Sequence, residues 1–206
     1  MATPPKDPWM YHITHINNLA GIIQEGGLWS DAHRISKNLS STNIGHLHIK
    51  QRRLSRPVQT QAGGMLGEYV PFNFCPRSVM LFAIHKGHQD YQGGQEEVIH
   101  LLSRVSLAVG LGKPWAFTDR HAELAHALHF DDLSQLDEVP WEVMEQTYWQ
   151  DAKEERQAEF LVRDFFPWSA IVGIGVMNPT VEQRTKAALA QAAHQPRVVV
   201  RSHWYY

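Results

Sequence analysis

The chain carries a single cysteine, Cys75. That excludes a disulfide framework and any zinc site built on thiolates, and it fits a reducing compartment. No run of about 18 apolar residues occurs, so no segment reads as a membrane-spanning helix. The opening M-A-T-P-P-K-D-P is polar and proline-rich and lacks the apolar centre of a secretion signal. Charge of one sign is missing as well: 19 Lys and Arg stand against 21 Asp and Glu, a formal net charge of -2. A nucleic-acid ligand would have to be met by a local basic stripe. A soluble protein of the cytoplasm is the expectation.

Several catalytic signatures are also absent. There is no G-x-G-x-x-G after a strand pattern and no G-x-x-x-x-G-K-[ST], so neither common phosphate loop is available. Gly63-Gly64 and Gly93-Gly94 are isolated pairs and read as turns. No G-x-S-x-G occurs, and Cys75, between Phe74 and Pro76, reads as a buried thiol. The 13 histidines invite a metal, yet H-E-x-x-H, H-x-x-E-H and C-x-x-C are all missing. His12/His15, His85/His88 and His126/His129 are three apart, and His121 and His126 flank Glu123, without assembling the three or four converging ligands that zinc requires. They read as surface and capping residues, and no metal is expected.

What is present is a well-supplied core. The 206 residues are 43% hydrophobic, which fits one domain over 1–206 with an extended leader at 1–8. Trp9 to Thr14 alternates as a strand, with Tyr11 and Ile13 on one face. A helix through Leu19, Ile22 and Ile23 follows, stopped by Gly26-Gly27. Ser30 to Gly45 is polar and reads as a long loop. A short helix over His46 to Leu54 ends in Arg52-Arg53, and a second polar loop runs to Gly67.

Tyr69 to Phe74 is a strand, and Pro71 marks it as an edge or a strand start. Pro76 suits the first position of a helix over Arg77 to Ile84. Strands are expected at Glu97 to Leu102, with a short helix after it, and at Trp115 to Phe117, where Thr118 or Asp119 would cap a helix over Ala122 to His129. A helix over Trp141 to Trp149 turns Val143, Met144 and Thr147 inward. Strands at Ile171 to Met177 and Arg197 to Arg201 bracket an alanine-rich helix, and the ending H-W-Y-Y docks. Elements so mixed do not alternate as βαβ units. The pattern is α+β, a mixed, largely antiparallel sheet or split barrel with peripheral helices packed around it.

One stretch stands out, E-E-R-Q-A-E-F-L-V-R-D-F-F from Glu154 to Phe166. Alternation puts Ala158, Phe160 and Val162 on one face, and Gln157, Glu159 and Leu161 on the other. A carboxylate written into a core strand is costly unless it has partners or a task. Two readings are open: an edge acid facing water, or a functional acid. His12, the Arg52-Arg53 pair and Tyr69 are the other polar residues at strand ends or beside long loops. Each also has an ordinary reading, as a satisfied core histidine, a solvated helix end and strand packing.

Several segments, in order, resemble one family. They are W-M-Y-H-I-T-H-I-N-N-L-A-G-I-I at Trp9 to Ile23, I-K-Q-R-R at Ile49 to Arg53, E-Y-V-P-F-N-F-C-P-R-S-V-M-L at Glu68 to Leu81, G-G-Q-E-E at Gly93 to Glu97, F-T-D-R-H at Phe117 to His121 and R-Q-A-E-F-L-V at Arg156 to Val162, through to the closing W-Y-Y. The chain is similar to DarT, the DNA ADP-ribosyltransferase toxins of DarT–DarG toxin–antitoxin systems. The Y-V-P-F-x-F-x-P-R-S segment resembles the thymidine-modifying branch.

The resemblance implies an ADP-ribosyltransferase fold, NAD as co-substrate and single-stranded DNA as acceptor. It also implies a macrodomain antitoxin as partner. By position it implies that Glu159 and Arg53 are catalytic. His12 and Thr14 would hold NAD with Arg53, and Tyr69 would line the nicotinamide pocket. Tyr148 and Trp149 would open the substrate loop. Arg77 and Arg156, with Arg104, Lys153 and Arg163, would form the basic stripe. Ser30 to Gly45 aligns with nothing, so its adenosine-side contacts stay unassigned. A transferase of the same fold acting on another base, on RNA or on protein is the alternative.

Overall fold

Period-two alternation writes the strands, and the computed structural model, which describes residues 3–206, shows where each lands. Residues 1–2 of the expected leader lie outside that range. In chain order the elements are β1 (Trp9–His15), α1 (Leu19–Gln24), β2 (Gly27–Trp29), α2 (Asp31–Ser36), α3 (Leu47–Arg53), β3 (Tyr69–Asn73), α4 (Val79–Lys86), β4 (Val98–Arg104), α5 (Val105–Gly110), β5 (Trp115–His121), β6 (His129–Phe130), α6 (Trp141–Glu145), β7 (Ala158–Arg163), β8 (Phe165–Pro167), β9 (Gly173–Val176), α7 (Pro179–Leu189) and β10 (Arg197–Val200).

Eight strands form one sheet in the order β10-β9-β4-β1-β3-β7-β5-β6, and β2 pairs with β8 in a separate ribbon. Among the described residues only β9 and β10 run parallel. Ala158, Phe160 and Val162 enter the main core with Phe72, Phe117 and Met10. Leu161, on the other face, packs with Tyr69, Leu66 and Val58. The alternation read from the sequence therefore holds on both faces. Phe160 is fully buried, and burying a side chain of that size is worth roughly 1.5–3 kcal/mol. The aromatic ending docks: Tyr205 is buried, and the Tyr206 hydroxyl donates to the Arg77 carbonyl at 2.9 Å.

The sheet is split between β1 and β3. These strands meet at one residue pair, Tyr11 with Asn73, whereas β3 pairs with β7 along its whole length. Continued two residues further, the β1–β3 ladder would set Ile13 against Pro71, and proline has no N–H to contribute. Instead the His12 ring donates from Nδ1 to the Pro71 carbonyl at 2.8 Å. Pro71 thus sits in an interior strand, not at the outer edge or strand start expected of it, and its N–H-less side faces the split.

Other expectations are corrected. The loop at 30–45 contains α2, capped by Ser30, whose hydroxyl accepts the His33 N–H. Ser78, not Pro76, starts α4, accepting the Leu81 N–H at 3.2 Å. Thr118 and Asp119 cap no helix. They lie inside β5, and Asp119 accepts the Leu128 N–H at 2.9 Å, closing a turn where a helix was expected. Helix α6 stops at Glu145, so Thr147 is exposed.

Candidate active site

The split opens onto a cavity of about 640 Å³ lined from β1, α3, β3 and β7 by His12, Thr14, Arg53, Asn73 and Glu159. That volume suits a small-molecule site. The register that fixes Asn73 opposite Glu159 places the carboxylate at the cavity wall. Beside it, β5 bulges against β7 between Phe117 and His121, and bulges of this kind re-aim side chains next to sites. Within the bulge Thr118 Oγ1 accepts the Glu159 N–H at 3.0 Å, and His121 is brought to the cavity.

Arg53 and Glu159 form a buried ion pair. Arg53 Nη1 donates to Glu159 Oε1 at 2.9 Å, the Ala122 N–H reaches the same oxygen at 3.3 Å, and His121 Nε2 lies 4.0 Å from it. Burial alone would push the Glu159 carboxyl up, but Arg53 and then His121 outweigh it and hold the group below its ordinary range. It is a carboxylate at neutral pH. All these contacts converge on Oε1, which leaves Oε2 for a ligand. Arg53 Nη2 is buried without a partner, a donor lacking an acceptor.

His12 is held below the usual imidazole range by burial, against the pull of the Pro71 carbonyl. It is therefore neutral. With Nδ1–H on that carbonyl, Nε2 carries a lone pair. Thr14 Oγ1 accepts from Asn18 Nδ2 at 3.0 Å, and the same amide group takes both the Thr42 carbonyl and the Thr42 N–H, at 2.9 and 2.7 Å. Asn18 therefore pins the 38–46 segment over the cavity, a role sequence reasoning missed. Its signal was an Asn four residues after Thr14, in the turn that leaves β1. Arg34 and Lys50 also line the cavity, both on Asp31 Oδ1 at 3.3 Å.

Other residues picked out from the sequence go elsewhere. Tyr69 is 1% exposed and donates to the Gly63 carbonyl at 2.6 Å. It packs with Leu161 on the face that carries Asn73 and Glu159 but outside the cavity, because it lies four residues along β3 from Asn73. Arg156 is 3% exposed and is spent on the carbonyls of Arg77 and Val143, so it presents no charge outward. Trp149 is buried against Phe82, and Arg77 stacks over Tyr206 at 4.3 Å. Arg104 covers Trp9 and Arg163 pairs with Glu68. Tyr148, by contrast, is 89% exposed, and Lys153 is exposed at the cavity rim.

Among the described residues no helix is long and apolar enough to cross a membrane. Residues 11–206 match the family model described as ssDNA thymidine ADP-ribosyltransferase, DarT. A DNA ADP-ribosyl transferase of Thermus sp. (strain 2.9) is 43% identical over 209 residues, covering 99% of this chain and 99% of that protein. The fold matches Thermus sp. 2.9 DarT solved in complex with ADP-ribosylated ssDNA at a TM-score of 0.92 and 41% identity, over 100% of this chain and 99% of that one. It matches the same protein solved with NAD+ at 0.88 and 40% identity, over 99% and 100%. The chain belongs to the DarT family of ssDNA thymidine ADP-ribosyltransferases.

Proposed function

We propose that this protein transfers ADP-ribose from NAD to thymidine in single-stranded DNA, releasing nicotinamide. The observation that carries the reading is the buried Arg53–Glu159 pair in the cavity wall, with Nη2 of one and Oε2 of the other unengaged. Breaking the C1–nicotinamide bond sends its electron pair to the ring nitrogen and leaves the ribose oxocarbenium-like. Glu159 Oε2 accepts from a ribose hydroxyl and stabilises that developing charge. The thymine nitrogen then bonds to C1, and its proton passes to solvent water. Arg53 Nη2 supplies a fixed donor to substrate oxygen beside the reacting centre.

Neutral His12 offers Nε2 as an acceptor to the nucleotide, and Thr14 orders the wall beside it. Arg34, from the 30–45 segment, and Lys50, from α3, add positive charge for the diphosphate. Tyr148 is the free aromatic on which an unpaired base stacks, with Lys153 beside the strand. A paired thymine is not reachable at its Watson–Crick edge, which accounts for single strands. No metal is assigned to the step, since the leaving ring carries its own positive charge and Glu159 answers the charge at C1. The reading extends to a cytoplasmic toxin that blocks replication, built as one domain over 1–206 and opposed by a macrodomain antitoxin.

The test is mass spectrometry of a thymine-containing oligonucleotide after incubation with NAD. The expected product is one ADP-ribose on thymine, absent from oligonucleotides lacking thymine. Equal labelling without thymine would sink the acceptor assignment. Harmless high-level expression without the antitoxin would remove the toxin reading.

A further inference from the structure

His46 immediately precedes α3, while His88 and Asp90 belong to the turn between α4 and β4. One ligating atom from each lies within 4.8 Å of the other two. The two segments are 42 to 44 residues apart in sequence, so the fold, not local chain geometry, brings them together. The turn itself is closed by the Tyr91 N–H on the His88 carbonyl at 3.0 Å.

The His88 tautomer can be deduced. Its Nε2 lies 3.1 Å from the Ile44 carbonyl, which only accepts, so Nε2 holds the proton. Nδ1 then carries a bare lone pair, and that atom is buried with no protein partner. A buried acceptor without a donor is costly. A backbone carbonyl that fixes one imidazole nitrogen and frees the other is the arrangement that orients histidines toward metals. His46 Nδ1 is 3.7 Å from Asp90 Oδ2, and the same oxygen is oriented by the Leu47 N–H at 3.2 Å.

We propose that His46, His88 and Asp90 bind one transition-metal dication of the zinc type. Two imidazoles and one carboxylate supply three of four tetrahedral positions, and water takes the fourth. Magnesium and calcium, which favour all-oxygen shells, are disfavoured by this donor set. Ile44, Gly45 and His46 also line the nucleotide cavity, and α3 carries Arg53 at its other end. A bound cation would fasten that wall to the 88–91 turn. The proposal stands independently of the transfer reaction.

The test uses tag-free, chelator-treated protein with neither NAD nor DNA. Calorimetric titration with Zn2+ is expected to give one tight site, with a saturable rise in Tm, and Mg2+ to give neither. His46→Ala, His88→Ala and Asp90→Asn should each weaken zinc binding at least about tenfold, and His203→Ala should leave it unchanged. Should a variant fold poorly, imidazole NMR of the parent protein decides. Zinc should move the resonances of two histidines only, with His88 in the Nε2–H form before zinc is added. A parent with no binding at roughly micromolar zinc, variants that bind as the parent does, or shifts spread across other histidines would overturn the site.

Discussion

On one side β1 pairs with β4 through all seven of its residues, from Trp9 opposite Arg104 to His15 opposite Val98. On the other it meets β3 at Tyr11 and Asn73 alone. Each side holds a histidine, and the two are used differently. His100, on β4, is fully buried, with Nε2 on the Pro76 carbonyl at 2.9 Å and Nδ1 3.2 Å from the Tyr205 hydroxyl. His12, at the split, spends one nitrogen on Pro71 and keeps the other for the cavity. Where the ladder runs on, polar groups are closed off in pairs. Where it stops, side chains take over the backbone's partners, and some of their hydrogen-bonding capacity stays open.

The largest break in that contrast comes from the ion pair that spans the open side. Arg53→Ala leaves the Glu159 carboxylate buried and uncompensated, and we expect a loss of ~3–5 kcal/mol in urea unfolding together with loss of transfer. Glu159→Gln keeps the shape and removes the charge. Transfer should fall about 10²–10³-fold, read by mass spectrometry of the oligonucleotide. Nicotinamide release at the parental rate in Glu159→Gln would remove the carboxylate from the reaction.

The closed side is tested by acid. Burial holds His100 down to about 4 from 6.5, although the Pro76 carbonyl pulls it up. The unfolded chain takes up that proton near pH 6.5 and the folded chain only near 4, so stability rises with pH across this window. The displacement corresponds to ~3 kcal/mol lost on acidifying from neutral to pH 4. Unfolding curves of His100→Gln should show a shallower slope there. Glu159 behaves differently: its depressed carboxyl contributes stability that is lost only as pH falls through its folded value, below 4.5. An unchanged slope in His100→Gln would mean that the closed side does not set acid sensitivity.

The same contrast explains what the sequence made legible. Strands written by alternation, such as Ala158 to Val162, were readable because each face has its own core. Ser78 and Ser30 were not legible as caps because Pro76 offers a competing helix start and the run after Ser30 lacks apolar periodicity. The fate of 122–129 was hidden in a tertiary bond: Asp119 closes the turn that its apolar periodicity would have made a helix. At the site, His12, Thr14, Arg53 and Glu159 come together in space, but Tyr69 and Arg156 do not. Tyr69 is polar only at a hydroxyl that Gly63 absorbs. Arg156 looks like any surface arginine until two carbonyls are found beneath it. Long-range partners of this kind leave no periodic trace.

The smallest effects lie at the split itself. His12→Ala removes one hydrogen bond, worth ~0.5–1.5 kcal/mol, and with it the nucleotide contact we propose for this ring, so KM for NAD should rise more than kcat falls. Pro71→Ala is the finer test. If the missing N–H is why the ladder stops after one pair, an alanine there restores the donor opposite Ile13 and lengthens the ladder by a step. The new backbone amide of the variant would then be protected in hydrogen exchange, the strands would draw together, and KM for NAD would rise by roughly threefold while global stability moved by less than ~1 kcal/mol. Fast exchange of that amide with unchanged KM would show instead that the His12 ring holds β1 and β3 apart, and that proline is merely the residue this gap tolerates.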